Sequence, residues 1–312
     1  MSSTERGISL PGSAFSGRVV VADIGVEVPE GSRVEAVTEI EMPERDELAH
    51  KGDFGKALII AGSRGYTGAP VLAAEAAVRS GAGLVWLGVP ECVYPIVAEA
   101  CAEVMPFPLP CGEDGALSEA AIPEILKRLE NADSCLVGPG LQNTQAISKV
   151  VAAILENARV PVVLDADGIN AVSGNIDILK SASNVVLTPH AGEFARLGGS
   201  LAEGRIPGAL ALAERTGAAV ALKGHTTVTA FPDGDVFVNT TGNAGMACGG
   251  SGDVLAGMTA ALAARFGLKR AVPSAVWLHG RAGDLVAEKL GEDFMKPTDV
   301  IDVLADVLKE TY

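Results

Sequence analysis

Short apolar runs alternate with helical stretches over most of the chain, and this alternation most restricts the folds open to it. ALIIA (57–61), LVWLGV (84–89), CLVG (135–138), PVVLD (161–165), NVVLTP (184–189) and AVALK (219–223) each have the length of a strand buried on both faces. After the first of them a helix is predicted to begin near Pro70, which suits a first turn. Val71, Ala74 or Glu75, and Val78 follow at helical spacing, and Gly81 is placed to end it. After the third, Asn143 and Thr144 cap a helix whose Ala146, Ile147, Val150, Val151, Ile154 and Leu155 form an apolar stripe. Strands separated by amphipathic helices imply right-handed βαβ units and a mostly parallel sheet covered on both faces, an α/β fold. The pattern then changes: TTVTAF, the turn PDGD and VFVN read as an antiparallel hairpin at the sheet edge. Helices follow over 252–264 and 272–290, with a last one opened by Thr298 that turns Val300, Ile301, Leu304, Val307 and Leu308 inward.

A length of 312 residues would accommodate two domains, but no repeat, low-complexity segment or second fold is visible. Residues 46–312 read as one domain. Residues 1–45 read as an arm, with one strand-like run, Arg18 to Ile24, and then the acidic stretch EVPEGSRVEAVTEIEMPERDE. The formal charge of −15 repels nucleic acid and anionic lipid, which argues against both as partners. Small anions remain compatible, because local cations and backbone N–H groups dominate inside a cleft once exposed charges are screened over roughly 8 Å. Five cysteines without a C-x-x-C pair and four scattered histidines suggest neither a zinc site nor a disulfide framework. The start, MSSTERGISLPGSAFSG, lacks an apolar stretch of signal-peptide length, and no 18 apolar residues run together, so a cytoplasmic location is expected.

In open α/β sheets ligands bind outside the carboxyl ends of the strands. The loops there are rich in glycine: GSRGYTGA after 61, GPGL after 137, DADGIN after 164, TPHAGE after 187, KGHTT after 222 and TTGNAGMACGGSGD after 239. None is a G-x-x-x-x-G-K-[ST] or a G-x-G-x-x-G loop, so neither a Walker A site nor a dinucleotide fingerprint is present. The last loop is the strongest. Gly249, Gly250 and Gly252 leave backbone N–H groups uncovered just before an amphipathic helix, an arrangement that makes an anion hole. Asp253 follows directly and can take a proton from an attacking hydroxyl, or else act only as a helix cap.

These segments resemble a known family. HKGDFGKALIIAGSRGYTGAPVLAAEAAVRSGAGLV, VGPGL, VLDADGIN, LTPHAGEF, LKGHTTV and NTTGNAGMACGGSGDVLAGM stand in the order found in the ADP- or ATP-dependent NAD(P)H-hydrate dehydratases of the ribokinase-like superfamily, over residues 48 to 310. The resemblance implies a ribokinase-like three-layer α/β/α sandwich. It also implies repair of (6S)-NADHX and (6S)-NADPHX, in which ADP or ATP phosphorylates the C6 hydroxyl and phosphate is then expelled, a lyase reaction in outcome. ADP is the expected nucleotide, Mg²⁺ the expected metal, and a homo-oligomer, a tetramer above all, the expected assembly.

Carried over residue by residue, Asp253 resembles the base and Gly250 and Gly252 the anion hole. Ala69, Gly140 and His190 resemble hydrate-binding positions, although His190 on its own reads as a hydrogen-bonded loop histidine. Lys223, Gly224, His225, Thr226 and Thr227, with Gly252, resemble the segment that holds the AMP portion. Glu193 is either an acidic residue linked to Mg²⁺ through water or an exposed helix-start glutamate. Asp165 and Asp167 either support that region or only shape their turn. Asn239 and Asn243 are loop organisers within reach of phosphate, Cys248 a packing residue, and Tyr66 a stacking or cleft-covering side chain. The rival reading is a kinase of a small alcohol such as hydroxymethylpyrimidine or hydroxyethylthiazole, and a silent nucleotide sensor is a third. GRVVVADIGV resembles the closing strand of a hydrate epimerase domain, but no GNNGGDG-like loop is present, so no epimerase activity is expected.

Overall fold

The computed structural model describes residues 33–43 and 46–311, so the strand-like run Arg18 to Ile24 lies outside the described residues. Ten strands form one sheet: β1 (Val34–Val37), β2 (Lys56–Ile60), β3 (Leu84–Pro90), β4 (Met105–Leu109), β5 (Ser134–Val137), β6 (Val162–Leu164), β7 (Val185–Leu187), β8 (Ala219–Leu222), β9 (Val228–Ala230) and β10 (Val236–Asn239). Their order is β1-β10-β9-β8-β7-β6-β5-β2-β3-β4. Only β9 runs antiparallel to its neighbours, β8 and β10, so the predicted hairpin is the antiparallel pair at this end of the sheet. Beyond it lies β1, parallel to β10, from the stretch read as an arm.

Side chains alternate across the sheet, as a two-residue period requires. Leu58, Ile60, Cys135, Val137, Val162 and Leu164 pack on one face, beneath α3 (Ile122–Leu129), α4 (Gln145–Asn157), α5 (Asp167–Val172), α6 (Ala191–Arg196) and α7 (Arg205–Thr216). Ile59, Leu136, Val163 and Val186 face the other way, against α1 (Gly68–Arg79), α2 (Tyr94–Ala100), α8 (Ser251–Phe266) and α9 (Leu268–Leu290). A further cluster joins α8 and α9 to α10 (Pro297–Lys309). The result is the expected three-layer α/β/α sandwich. Among the described residues no helix is long and apolar enough to cross a membrane.

Some elements differ from expectation: the last helix, predicted to be opened by Thr298, begins at Pro297 with Lys296 at its N-cap. The helix predicted from 272 starts at Leu268, directly after Gly267, and carries Pro273 inside it. Pro273 is its sixth residue, past the first turn, and lacks the N–H that would bond the Lys269 carbonyl, so the helix gives up one ladder bond there. Strand β4, MPFPL, was not foreseen because its two prolines argue against a strand. It sits at the sheet edge, where proline is allowed.

Helix α8 approaches α1 so closely that a Cβ on Gly257 would lie 1.9 Å from the Ala73 carbonyl oxygen. Because the obstacle is backbone, Gly257→Ala is expected to destabilise the protein by about 1–3 kcal/mol, the usual range for overpacking. Urea unfolding checks this, and an unchanged midpoint would show that the two helices separate without cost.

Candidate active site

The Gly-rich loops converge at the carboxyl end of the sheet. Tyr66, Ala69, Gly140, Gln142, Ala166 and Asp253, with Asn143 and Asp167, line a cleft of about 580 Å³. A smaller hollow of about 300 Å³ opens at the opposite strand ends, around Asn184, Gly217 and Lys269, and holds none of the predicted site residues.

Asp253 enters the cleft from the first turn of α8. Gly250, the residue before the helix, has φ +98°, and a Cβ there would lie 2.6 Å from Leu72 Cδ1 and 3.2 Å from Pro297 Cγ, so both conformation and space call for glycine. Within this turn Ser251 N–H bonds the Cys248 carbonyl at 3.3 Å and Val254 N–H bonds the Gly250 carbonyl at 3.1 Å. The N–H groups of Gly249, Gly250, Gly252 and Asp253 have no such partner among the described residues and remain open to an anion.

Behind Gly252 stands a charged pair. Lys223 Nζ donates to Asp165 Oδ1 at 2.7 Å, and the same oxygen accepts from Thr188 Oγ1 at 2.6 Å. A Cβ on Gly252 would be 3.3 Å from the ammonium, so the helix backbone rests directly against it. Burial opposes the charge of Lys223, but Asp165, then Glu193 and Asp253, outweigh it and hold its pKa above the ordinary value. Burial and the neighbouring Asp165 push the Asp253 carboxyl up to about 7, against the opposing pull of Lys223. A carboxyl tuned to neutral pH beside a row of free donors suits proton transfer from a hydroxyl. Below this turn, burial and the nearby Lys223 lower His279 to about 4. Its Nε2 lies 3.4 Å from Ser251 Oγ, a neutral support that the sequence did not single out.

The remaining predicted residues divide by what they touch. Ala69 and Gly140 share the cleft with Asp253, and a Cβ on Gly140 would lie 2.9 Å from Tyr66 Cβ. His190 stands outside this lining, at the N-cap of α6. Its Nδ1 accepts from Gly192 N–H at 2.9 Å and Glu193 N–H at 3.3 Å, while Glu193 Oε2 accepts from His190 N–H at 2.8 Å. Glu193 is buried, so the alternative of an exposed helix-start glutamate does not describe it; it closes a capping box. Asp167 shapes its loop: Oδ2 accepts from Gln142 N–H at 2.8 Å and Oδ1 from Asn170 at 3.1 Å. Gln142 and Ala166, with φ of 69° and 48°, are the positive-φ residues other than glycine among the described residues, and both line the cleft. Such strain persists only where surrounding bonds impose it.

In the Lys223–Thr227 loop, Gly224 and His225 are exposed while Thr226 and Thr227 are buried. Arg205, unsuspected from the sequence, holds this loop by donating to the carbonyls of Leu222, Lys223 and Thr226 at 2.7, 3.1 and 3.1 Å. Asn239 donates to the Thr241 carbonyl at 2.8 Å and Asn243 accepts from Gly245 N–H at 3.0 Å, both organising their loop. Asp284, also unforeseen, fixes that loop through Gly242 N–H at 2.9 Å and Asn243 Nδ2 at 3.0 Å. Cys248 is half-buried.

Comparison with known proteins agrees with this geometry. The family described as NAD(P)H-hydrate dehydratase matches residues 57–306. The bifunctional NAD(P)H-hydrate repair enzyme Nnr of Moorella thermoacetica is 42% identical over 96% of this chain and 59% of its own length. The chain thus spans about three fifths of that relative. A ribokinase-like superfamily protein from Enterococcus faecalis superposes with a TM-score of 0.79 at 27% identity, covering 92% of this chain and 99% of that one. An ADP/ATP-dependent NAD(P)H-hydrate dehydratase from Bacillus subtilis, co-crystallised with ATP/Mg²⁺, superposes with a TM-score of 0.73 at 32% identity, covering 87% and 95%. With the family matched over most of its length and the Asp253 turn at the expected strand ends, the chain belongs to the NAD(P)H-hydrate dehydratase family of the ribokinase-like superfamily.

Proposed function

We propose that the chain dehydrates (6S)-NADHX and (6S)-NADPHX to NADH and NADPH, consuming one phosphoryl group of ADP, or less readily of ATP, per turnover. The observation that carries this reading is the Asp253 carboxyl, tuned to about 7, at the head of a helix with open N–H donors. Asp253 takes the proton of the C6 hydroxyl as that oxygen attacks the terminal phosphoryl group, releasing AMP from ADP. The N–H groups of Gly249, Gly250 and Gly252 stabilise the charge on the phosphoryl oxygens in transit. The C6–O bond then breaks, phosphate leaves with the bonding electrons while the ring nitrogen supplies its pair, and loss of a C5 proton restores the dihydropyridine.

Ala69, Gly140 and His190 would orient the hydrate, and Lys223 to Thr227 with Gly252 the AMP portion. A Mg²⁺ ion would supply charge neutralisation on the phosphates. Among the described residues no group of three or more His, Cys, Asp or Glu is set to hold a metal, which fits an ion carried mainly by phosphate and water. Glu193, whose carboxylate already accepts from His190 N–H, would reach it through water. The proposal takes residues 46–312 as the catalytic domain of a cytoplasmic homo-oligomer, a tetramer above all.

Purified protein given NADHX, Mg²⁺ and either nucleotide is expected to restore the NADH absorbance band, and no recovery with either would overturn the proposal. The pH profile adds a second check. Since Asp253 accepts a proton only when ionised, kcat/KM is expected to fall tenfold per pH unit below about 7. A profile flat down to pH of about 5 would remove Asp253 from the role of base.

A further inference from the structure

Cys92 and Cys111 lie far apart in the chain, but the sheet brings them together. Strands β3 and β4 run parallel with Pro90 opposite Leu109, and Glu91 N–H bonds the Leu109 carbonyl at 2.8 Å. Each cysteine follows its paired residue by two positions, Cys92 within a turn closed by Val93 N–H on the Pro90 carbonyl at 2.9 Å and Cys111 at the opening of a hairpin. Paired strands run roughly 4.8 Å apart, so the two cysteine-bearing segments leave the sheet as immediate neighbours. The side chains approach each other there: Cys92 Sγ lies 3.8 Å from the Gly115 carbonyl oxygen, in the hairpin that Cys111 opens, and the Cys111 thiol is near enough to act on the Cys92 thiol. Cys92 is exposed and Cys111 half-buried, whereas Cys101 and Cys135 are buried.

We propose that Cys92 and Cys111 form a dithiol site that exchanges with small-molecule disulfides and closes to an intramolecular disulfide. The Cys92 thiolate attacks one sulfur of the small disulfide and expels a thiolate, leaving a mixed disulfide on Cys92. Cys111 Sγ then attacks Cys92 Sγ and expels the second small thiol. The two protons of the protein thiols end on the two small thiols, and the small disulfide is the oxidant. Burial and the neighbouring Cys111 push the Cys92 thiol up, against the pull of Arg64. A Cys92 thiol held above its ordinary range gains nothing from thiolate stabilisation when reduced, so attack by Cys92 is slow and the closed disulfide is favoured.

The site adjoins the cleft without belonging to it. Cys111 bridges to Leu117 at the base of a tight hairpin. In that hairpin the Gly115 carbonyl accepts from Arg64 N–H at 3.1 Å and the Glu113 carbonyl from Arg64 Nη1 at 2.8 Å. Arg64 belongs to the loop whose Tyr66 lines the cleft and which leads into Ala69 in the first turn of α1. The cross-link therefore ties the loop after β3 to the hairpin that supports the cleft wall.

The test is to equilibrate the full chain with oxidised glutathione and count thiols after denaturation. Two of the five cysteines are expected to disappear without gain of glutathione mass, and a Cys92–Cys111 peptide is expected after proteolysis. In Cys111→Ser the reaction is expected to stop at one glutathione on Cys92, and Cys92→Ser is expected to form no intramolecular disulfide. Five intact thiols, a cross-link through Cys248, or a lasting mixed disulfide on Cys92 of the unsubstituted chain would overturn the proposal. None of these outcomes depends on the reaction assigned to the cleft.

Discussion

Asp253→Asn is expected to lower kcat by roughly 10²–10⁴-fold, the contribution typical of a positioned general base, while leaving nucleotide affinity within a few-fold of the unsubstituted protein. Asn keeps the shape of the side chain and loses the ability to take a proton, so the loss belongs in kcat rather than in binding. The same substitution carries an opposite effect on stability. In the folded protein the Asp253 carboxyl sits at about 7, above its ordinary 3.8, so the native state binds this proton more tightly than the unfolded chain. Ionised Asp253 therefore costs stability, a cost that sets in as pH rises from about 4 and is complete above about 7. Discounted for the partial exposure of the group, it amounts to roughly 1–3 kcal/mol. Asp253→Asn should accordingly raise the thermal midpoint at pH of about 8 and change it little at pH of about 4. Normal turnover in this variant would remove Asp253 from the mechanism, and a lowered midpoint at the higher pH would remove the environment assigned to it.

Lys223→Met is expected to damage the protein through a different bond. The ammonium is the charged partner of Asp165, whose carboxylate is 2% exposed. Breaking a buried pair from one side leaves an uncompensated charge, which costs about 3–5 kcal/mol. Replacing both members by apolar residues of similar volume is far less costly, so Lys223→Met combined with Asp165→Leu should recover most of the lost stability. The nucleotide KM should rise in both variants, because neither presents a cation to the phosphates. Chemical denaturation and initial rates at varied nucleotide separate the two effects. A double variant that regains stability and also binds nucleotide normally would show that Lys223 serves only the fold.

What the sequence revealed, and what it hid, follows from the range of the interactions involved. Strand periodicity, the Gly-rich turns and the position of Asp253 are local properties, and ALIIA, CLVG and GGSGD announce them within a few residues. Gly250 also declares itself locally, since its φ of +98° precedes a recognisable apolar helix. Strand β1 was hidden because VEAV is short and charged, and it becomes a strand only by pairing with β10. Arg205 and Asp284 act across the fold on loops that follow other strands, and nothing in their own neighbourhoods marks them. The burial of Glu193 and the upward shift of Asp253 are tertiary effects that no motif records. The meeting of Cys92 and Cys111 depends on β3–β4 register, so counting cysteine spacing could not find it.

The central claim is that the cleft phosphorylates a hydroxyl in order to eliminate it, and the most direct measurement follows that oxygen. NADHX carrying a heavy oxygen isotope at the C6 hydroxyl would be turned over with ADP in unlabelled water, and the released inorganic phosphate examined by mass spectrometry. Phosphoryl transfer to the hydroxyl followed by C6–O cleavage predicts one heavy oxygen in each phosphate, with AMP formed in equal amount to NADH. Label recovered in water, with unlabelled phosphate or none, would mean that the hydroxyl leaves without being phosphorylated and would contradict the account.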